Sequence, residues 1–146
     1  MSDSEAGLLD TSAVILLPEL TDPAALPSKP VISAITLAEL SVGPLVAVDE
    51  TARVSRQAQL QRAEADFDAL PFDADAARAF GRVAASLRRS GRKAAARAFD
   101  AMIAAIAIAN DLPIYTANPD DFAHIDGLKV VAVAASTTSA AEPKEG

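Results

Sequence analysis

Short apolar runs alternate along the chain with longer amphipathic stretches, and their lengths separate strands from helices. Gly7-Leu8-Leu9 reads as a short buried strand ending at Asp10, after which Thr11-Ser12 open a helical stretch over residues 13–17 that Pro18 interrupts. Residues 21–30 contain Pro23, Pro27 and Pro30 and predict a loop, followed by a second strand at Val31-Ile32-Ser33. A helical pattern over residues 34–42 stops near Gly43-Pro44. Residues 49–67 form a long polar helix with apolar positions at Val54, Ala58, Leu60 and Phe67, and Leu70-Pro71-Phe72 reads as a short strand behind it. Residues 73–89 predict the next helix, ended by Ser90-Gly91. Residues 95–110 predict another, with Phe99, Met102, Ile103 and Ile106 as its core stripe and Pro113 beyond its end. Ile114-Tyr115-Thr116 and residues 129–133 supply two further strands.

Strands alternating with helices favour a parallel sheet covered on both faces, hence a three-layer α/β/α sandwich with a short parallel central sheet. One domain over residues 1–134 is expected. Residues 135–146, rich in Ala, Ser, Thr and charge, lack the pattern of a core element and are expected to be a disordered tail. There is no internal repeat. A chain of 146 residues can bury a core without disulfides, and cysteine is absent. Aromatic residues are few, so the core should be aliphatic. No apolar run approaches the roughly 20 residues of a membrane span. Asp3 and Glu5 stand where a secretory signal carries basic residues, so the expected location is cytoplasmic.

The net charge of −7 argues, as an average, against a nucleic-acid partner. The distribution argues otherwise. Seven of the 13 basic residues (Arg78, Arg82, Arg88, Arg89, Arg92, Lys93 and Arg97) fall in residues 78–97, a stretch without Asp or Glu. Such a run is either a solvated helix face or a surface for phosphates.

In an open parallel sheet, ligands gather at the carboxyl ends of the strands. Asp10 stands at one such end, and Asp120 and Asp121 follow Ile114-Tyr115-Thr116 at another. Asp100 lies early in its helix on a face continued by the small residues Ala104 and Ala107, and Glu39 lies in the helix after the second strand. Four converging carboxylates repel and take up protons unless they hold a divalent ion, and oxygen-only ligands suit Mg²⁺ or Mn²⁺. Each acid also has a structural reading. Asp10 can cap the following helix, Glu39 can complete a capping box with Thr36, and Asp120 or Asp121 can cap a turn. Asp111 reads as a helix-end residue and His124, the only histidine, as structural. Cysteine and histidine metal sites are excluded by the inventory, and so is a serine triad, since Ser12 and Ser33 have no base.

Leu8-Leu9-Asp10-Thr11-Ser12, Ile35-Thr36-Leu37-Ala38-Glu39-Leu40, Asp100-Ala101-Met102-Ile103-Ala104-Ala105 and Thr116-Ala117-Asn118-Pro119-Asp120-Asp121-Phe122, with Ser90-Gly91-Arg92 before the third, resemble the ordered motifs of VapC-type PIN domains. The resemblance covers Gly7 to about Val133. It implies an Mg²⁺-dependent endoribonuclease toxin acting on tRNA or ribosomal RNA, a homodimer and a VapB-type antitoxin. By motif position the metal ligands fall on Asp10, Glu39, Asp100 and Asp121, with Asp120 the neighbouring alternative to the last. Thr11, Thr116 and Asn118 would support these carboxylates, and Arg88, Arg89, Arg92 and Lys93 would hold the RNA backbone. Ala117 departs from the family's usual Arg, so any contact made by that Arg is absent.

A dehalogenase-like phosphatase also carries an Asp after its first strand, but it needs a second Asp where Ser12 stands. The other alternative is a catalytically silent PIN-like module that binds RNA or protein. The presence of all four acids argues against it.

Overall fold

The computed structural model describes residues 6–20, 22–92 and 97–134. The tail expected over residues 135–146 lies outside them. Five parallel strands, β1 (Ala6–Leu9), β2 (Lys29–Ser33), β3 (Ala69–Leu70), β4 (Ile114–Thr116) and β5 (Val130–Ala132), form one sheet in the order β3-β2-β1-β4-β5. Between them run α1 (Thr11–Leu16), α2 (Ala34–Val42), α3 (Glu50–Asp66), α4 (Ala74–Arg89) and α5 (Ala98–Ala109).

Leu8 and Leu9 show why the chain makes three layers. Successive strand residues point to opposite faces, and here both are apolar and fully buried. Leu8 packs with α4 and α5 through Val83, Leu87, Ile103 and Ile106; Leu9 packs with Val14 of α1, Leu40 of α2 and Ala63 of α3. The core is aliphatic, with Phe122 the one fully buried aromatic ring among the described residues. This is the expected α/β/α sandwich around a short parallel sheet.

The structure corrects the reading of three elements. The loop expected through Pro30 ends earlier, because β2 begins at Lys29 and contains Pro30. Ile32 N–H donates to Asp68 O (3.1 Å), so even-numbered β2 residues direct their main chain toward β3. That strand pairs only with Ile32 and Ser33, and the amide hydrogen that Pro30 lacks falls beyond its end. The third strand is Ala69–Leu70 rather than Leu70-Pro71-Phe72. Phe99, expected on the core stripe of α5, is 53% exposed. That helix is apolar nearly all round, so periodicity does not select its inner face. The face that packs is instead rich in alanine (Ala101, Ala104, Ala105, Ala107), where small side chains allow close approach.

Candidate active site

The strand order reverses direction between β1 and β4: β2 and β3 extend to one side, β5 to the other. The crevice beyond the carboxyl ends of two such strands is where an α/β sheet receives ligands. Asp10 lies there because it directly follows β1, and the Pro119–Asp121 turn because it begins three residues after the end of β4.

Asp10 is 4% exposed. Its Oδ1 accepts from Ser12 Oγ (2.7 Å) and Ala13 N–H (2.9 Å), and its Oδ2 accepts from Thr116 Oγ1 (2.6 Å). It therefore caps α1 while tying β1 to β4. Burial raises its pKa, these three donors draw it back, and the Asp121 charge adds to the rise. The supporting hydroxyls are themselves fixed, since Ser12 Oγ accepts from Ala117 N–H (3.0 Å) and Thr116 Oγ1 from Asn118 N–H (2.9 Å). Asn118 reaches this network through its main chain, and the residue itself is exposed.

Glu39 does not belong to a capping box. Ser33 is the N-cap of α2 and accepts from Thr36 N–H (3.1 Å), which leaves Glu39 well inside the helix. Thr11 Oγ1 donates to Glu39 Oε1 (2.5 Å) and lies 2.9 Å from Thr36 Oγ1. A hydroxyl has one proton, so Thr36 donates to Thr11 in turn, and Ser33 Oγ donates to Thr36 at 3.5 Å. The order Ser33, Thr36, Thr11 aims a chain of donors at one carboxylate oxygen.

Asp100 occupies the first turn of α5, half-buried, with a pKa pushed up to about 6. Burial is the main cause, followed by the charges of Asp121, Asp10 and Glu39, while Arg97 partly offsets them. The charges of all three other acids thus act on Asp100. Asp121 Oδ1 lies 2.5 Å from Arg97 Nη1, which is 3.7 Å from Asp100 Oδ2. Its neighbour Asp120 is exposed.

Four carboxylates without a soft ligand form a donor set that fits a hard divalent cation. Among the described residues, no three acidic or histidine side chains enclose one ion as they stand. The carboxylates of Asp100 and Asp121 are engaged by Arg97 instead.

The described members of the basic stretch differ in their surroundings. Arg88 is exposed near the end of α4, Arg92 is partly buried just beyond it, and Arg89 is bound to Asp126 (2.8 Å) and Ser86 (3.2 Å). Lys93 lies outside the described residues. Three contributors escape a reading of the sequence: Ser12, Thr36 and Arg97. Helical spacing was the available signal for two of them, since Thr36 precedes Glu39 by three residues and Arg97 precedes Asp100 by three. His124 is exposed and Asp111 ends α5, so neither joins the site.

The PIN domain family matches residues 8–128. Ribonuclease VapC5 of Mycobacterium tuberculosis is 41% identical over 130 residues, 88% of this chain and 93% of that protein. The crystal structure of VapBC-5 from the same organism, a member of the VapBC family of toxin–antitoxin systems, superposes with a TM-score of 0.77 at 41% identity, covering 88% of this chain and 99% of that one. DNA-bound VapBC from Salmonella typhimurium gives a TM-score of 0.71 at 27% identity, over 86% and 96% of the two chains. Among the described residues no helix is long and apolar enough to cross a membrane. The chain belongs to the PIN-domain family, in its VapC branch.

Proposed function

We propose that this chain is a divalent-metal-dependent endoribonuclease, the toxin of a VapBC-type pair. Divalent-metal dependence goes with PIN-domain ribonucleases. Here Mg²⁺ is the natural ion, Mn²⁺ a substitute, and structured RNA such as tRNA or ribosomal RNA the substrate. The observation that carries the reading is the placement of Asp10 and Asp121 beyond the carboxyl ends of β1 and β4 at the switch point of the sheet, with Arg97 joining Asp121 to Asp100.

Asp10, Asp100 and Asp121 would hold the ion, with Glu39 binding a second or orienting water. A divalent ion held there would supply charge to offset the scissile phosphate and would lower the pKa of a bound water. The chain's own residues do the rest. Ser12 and Thr116 fix both oxygens of Asp10, so it contributes at little cost in reorganisation. The Ser33–Thr36–Thr11 chain holds Glu39 Oε1, leaving that carboxylate oriented to direct the attacking water in line with the phosphate. Arg88, Arg92 and Lys93 would hold the RNA backbone, with Arg89 contributing when it leaves Asp126.

The protein would act in the cytoplasm as a homodimer neutralised by a VapB-type antitoxin, a basic side chain of which would pair with the carboxylates. The test is cleavage of an RNA pool by the purified chain with Mg²⁺ and with EDTA, beside Asp10→Asn and Asp100→Asn. Metal-dependent cleavage lost in both variants is expected. A folded parent without cleavage would leave the RNA- or protein-binding module instead. Growth arrest on expression, relieved by co-expressing the adjacent reading frame, tests the toxin assignment separately.

A further inference from the structure

Arg97 immediately precedes α5, three residues before Asp100, and reaches across to Asp121 on the turn after β4. Its Nη1 is 2.5 Å from Asp121 Oδ1 and 3.7 Å from Asp100 Oδ2. Among the described residues it is the one basic side chain within ion-pair distance of any of the four acids. The side chain is about one-third exposed (34%), so it has solvent to move into.

Building on the ribonuclease reading, we propose that Arg97 is an internal counter-cation, holding the place between Asp100 and Asp121 until a divalent ion displaces it. Two carboxylates within reach of one guanidinium nitrogen, each only about one-third exposed, need a compensating charge. One guanidinium supplies it and bridges the two elements that carry them. An ion ligated by both acids would compete for the same two carboxylates and bring twice the charge, so loading is an exchange of cations rather than the filling of a vacant cage. This also accounts for the absence of a tight three-acid cluster among the described residues: Asp121 is turned onto Arg97. A purely structural pin gives the opposite expectation, because removing it would loosen the acids and weaken metal binding.

Isothermal titration of Mn²⁺ into the purified chain and into Arg97→Gln separates the two. Exchange predicts that Arg97→Gln binds Mn²⁺ about tenfold more tightly or better, since a positive charge within a few ångströms of the ion is gone, while Arg97→Lys stays near the parent. A folded Arg97→Gln with equal or weaker affinity overturns the proposal. Should that variant not fold, the side-chain nitrogen resonances of Arg97 in the parent decide, identified by their loss in Arg97→Lys. Mg²⁺ must move them to the position of a solvated guanidinium, and no shift at saturation overturns the proposal. Absence of metal binding in all proteins overturns both this proposal and the metal-dependent reading. Mg²⁺-dependent RNA cleavage by the parent with identical affinities in parent and Arg97→Gln overturns this one alone.

Discussion

Among the described residues Asp100 has none of the close donors that make the burial of Asp10 tolerable, and its raised pKa has a consequence for stability. Its carboxyl titrates near 3.8 when unfolded and near 6 when folded, so the native state binds the proton more tightly. Stability attributable to this group is therefore fully present below about pH 4, falls as the pH rises to about 6, and stays lost above that. The full shift corresponds to about 3 kcal/mol, and solvent reaching a side chain 32% exposed reduces this to about 1–2 kcal/mol. In EDTA, Asp100→Asn should melt above the parent at pH 7.5, with the gap closing toward pH 4. A constant gap across that range would show that its neighbours do not raise the Asp100 pKa. The pair after β4 divides as sharply. Asp121 faces Arg97 and acts on both Asp100 and Asp10, whereas Asp120 is exposed. Asp121→Asn should cost at least about a hundredfold in cleavage rate, the order expected for loss of a group that stabilises the transition state, and Asp120→Asn little. The reverse order in a cleavage assay would move the fourth ligand by one residue.

At the scale of elements, α4 and α5 end the same way with different residues. After α4, Gly91 N–H bonds Arg88 O and Arg92 N–H bonds Leu87 O, with Gly91 at φ +85°. After α5, Asp111 N–H bonds Ile108 O and Leu112 N–H bonds Ala107 O, with Asp111 at φ +56°. Both are the paired bonds of a helix closed by a left-handed residue. Glycine fits that conformation freely, while Asp111 carries strain and a negative charge at the negative end of the helix dipole. Asp111→Gly should raise stability by about 0.5–1 kcal/mol and Asp111→Val lower it by about 1–2 kcal/mol, neither changing cleavage. Thermal melts with equal stability for all three would mean that the strain is absent in solution. Such endings were legible in the sequence, as were the two strands that end at acids, because Gly, Pro and Asp act through the local backbone. Pro30 within β2 and Phe99 outside the core were not legible, since the first depends on where a neighbouring strand stops and the second on which face of an all-apolar helix the sheet covers. The four acids could be named because each lies in a local motif. The partner of Asp121 could not, because Arg97 and Asp121 are 24 residues apart and meet only through the packing of α5 beside the sheet.

Along the whole chain of net charge −7, residues 78–97 carry seven basic residues and no acid, and of these Arg97 alone, among the described residues, pairs with any of the four site acids. RNA affinity and metal affinity should therefore respond to different substitutions. If Arg88 and Arg92 hold the phosphate backbone, changing both to Ala should weaken binding to many RNAs alike and flatten the log–log dependence of affinity on salt by about 1.4, or roughly 0.7 per lost contact to a single strand. Arg89→Ala alone should do less, since Asp126 already neutralises it. Metal affinity should hardly change in any of these. Asp100→Asn should reverse the pattern, lowering metal affinity and cleavage while metal-free RNA binding stays intact or strengthens, because a negative charge leaves the path of the phosphate. The measurement is RNA affinity across a salt series together with a Mn²⁺ titration for each variant. An unchanged slope in the Arg88/Arg92 double variant would return the basic stretch to a solvated helix face and shift the search for the RNA path to other surfaces.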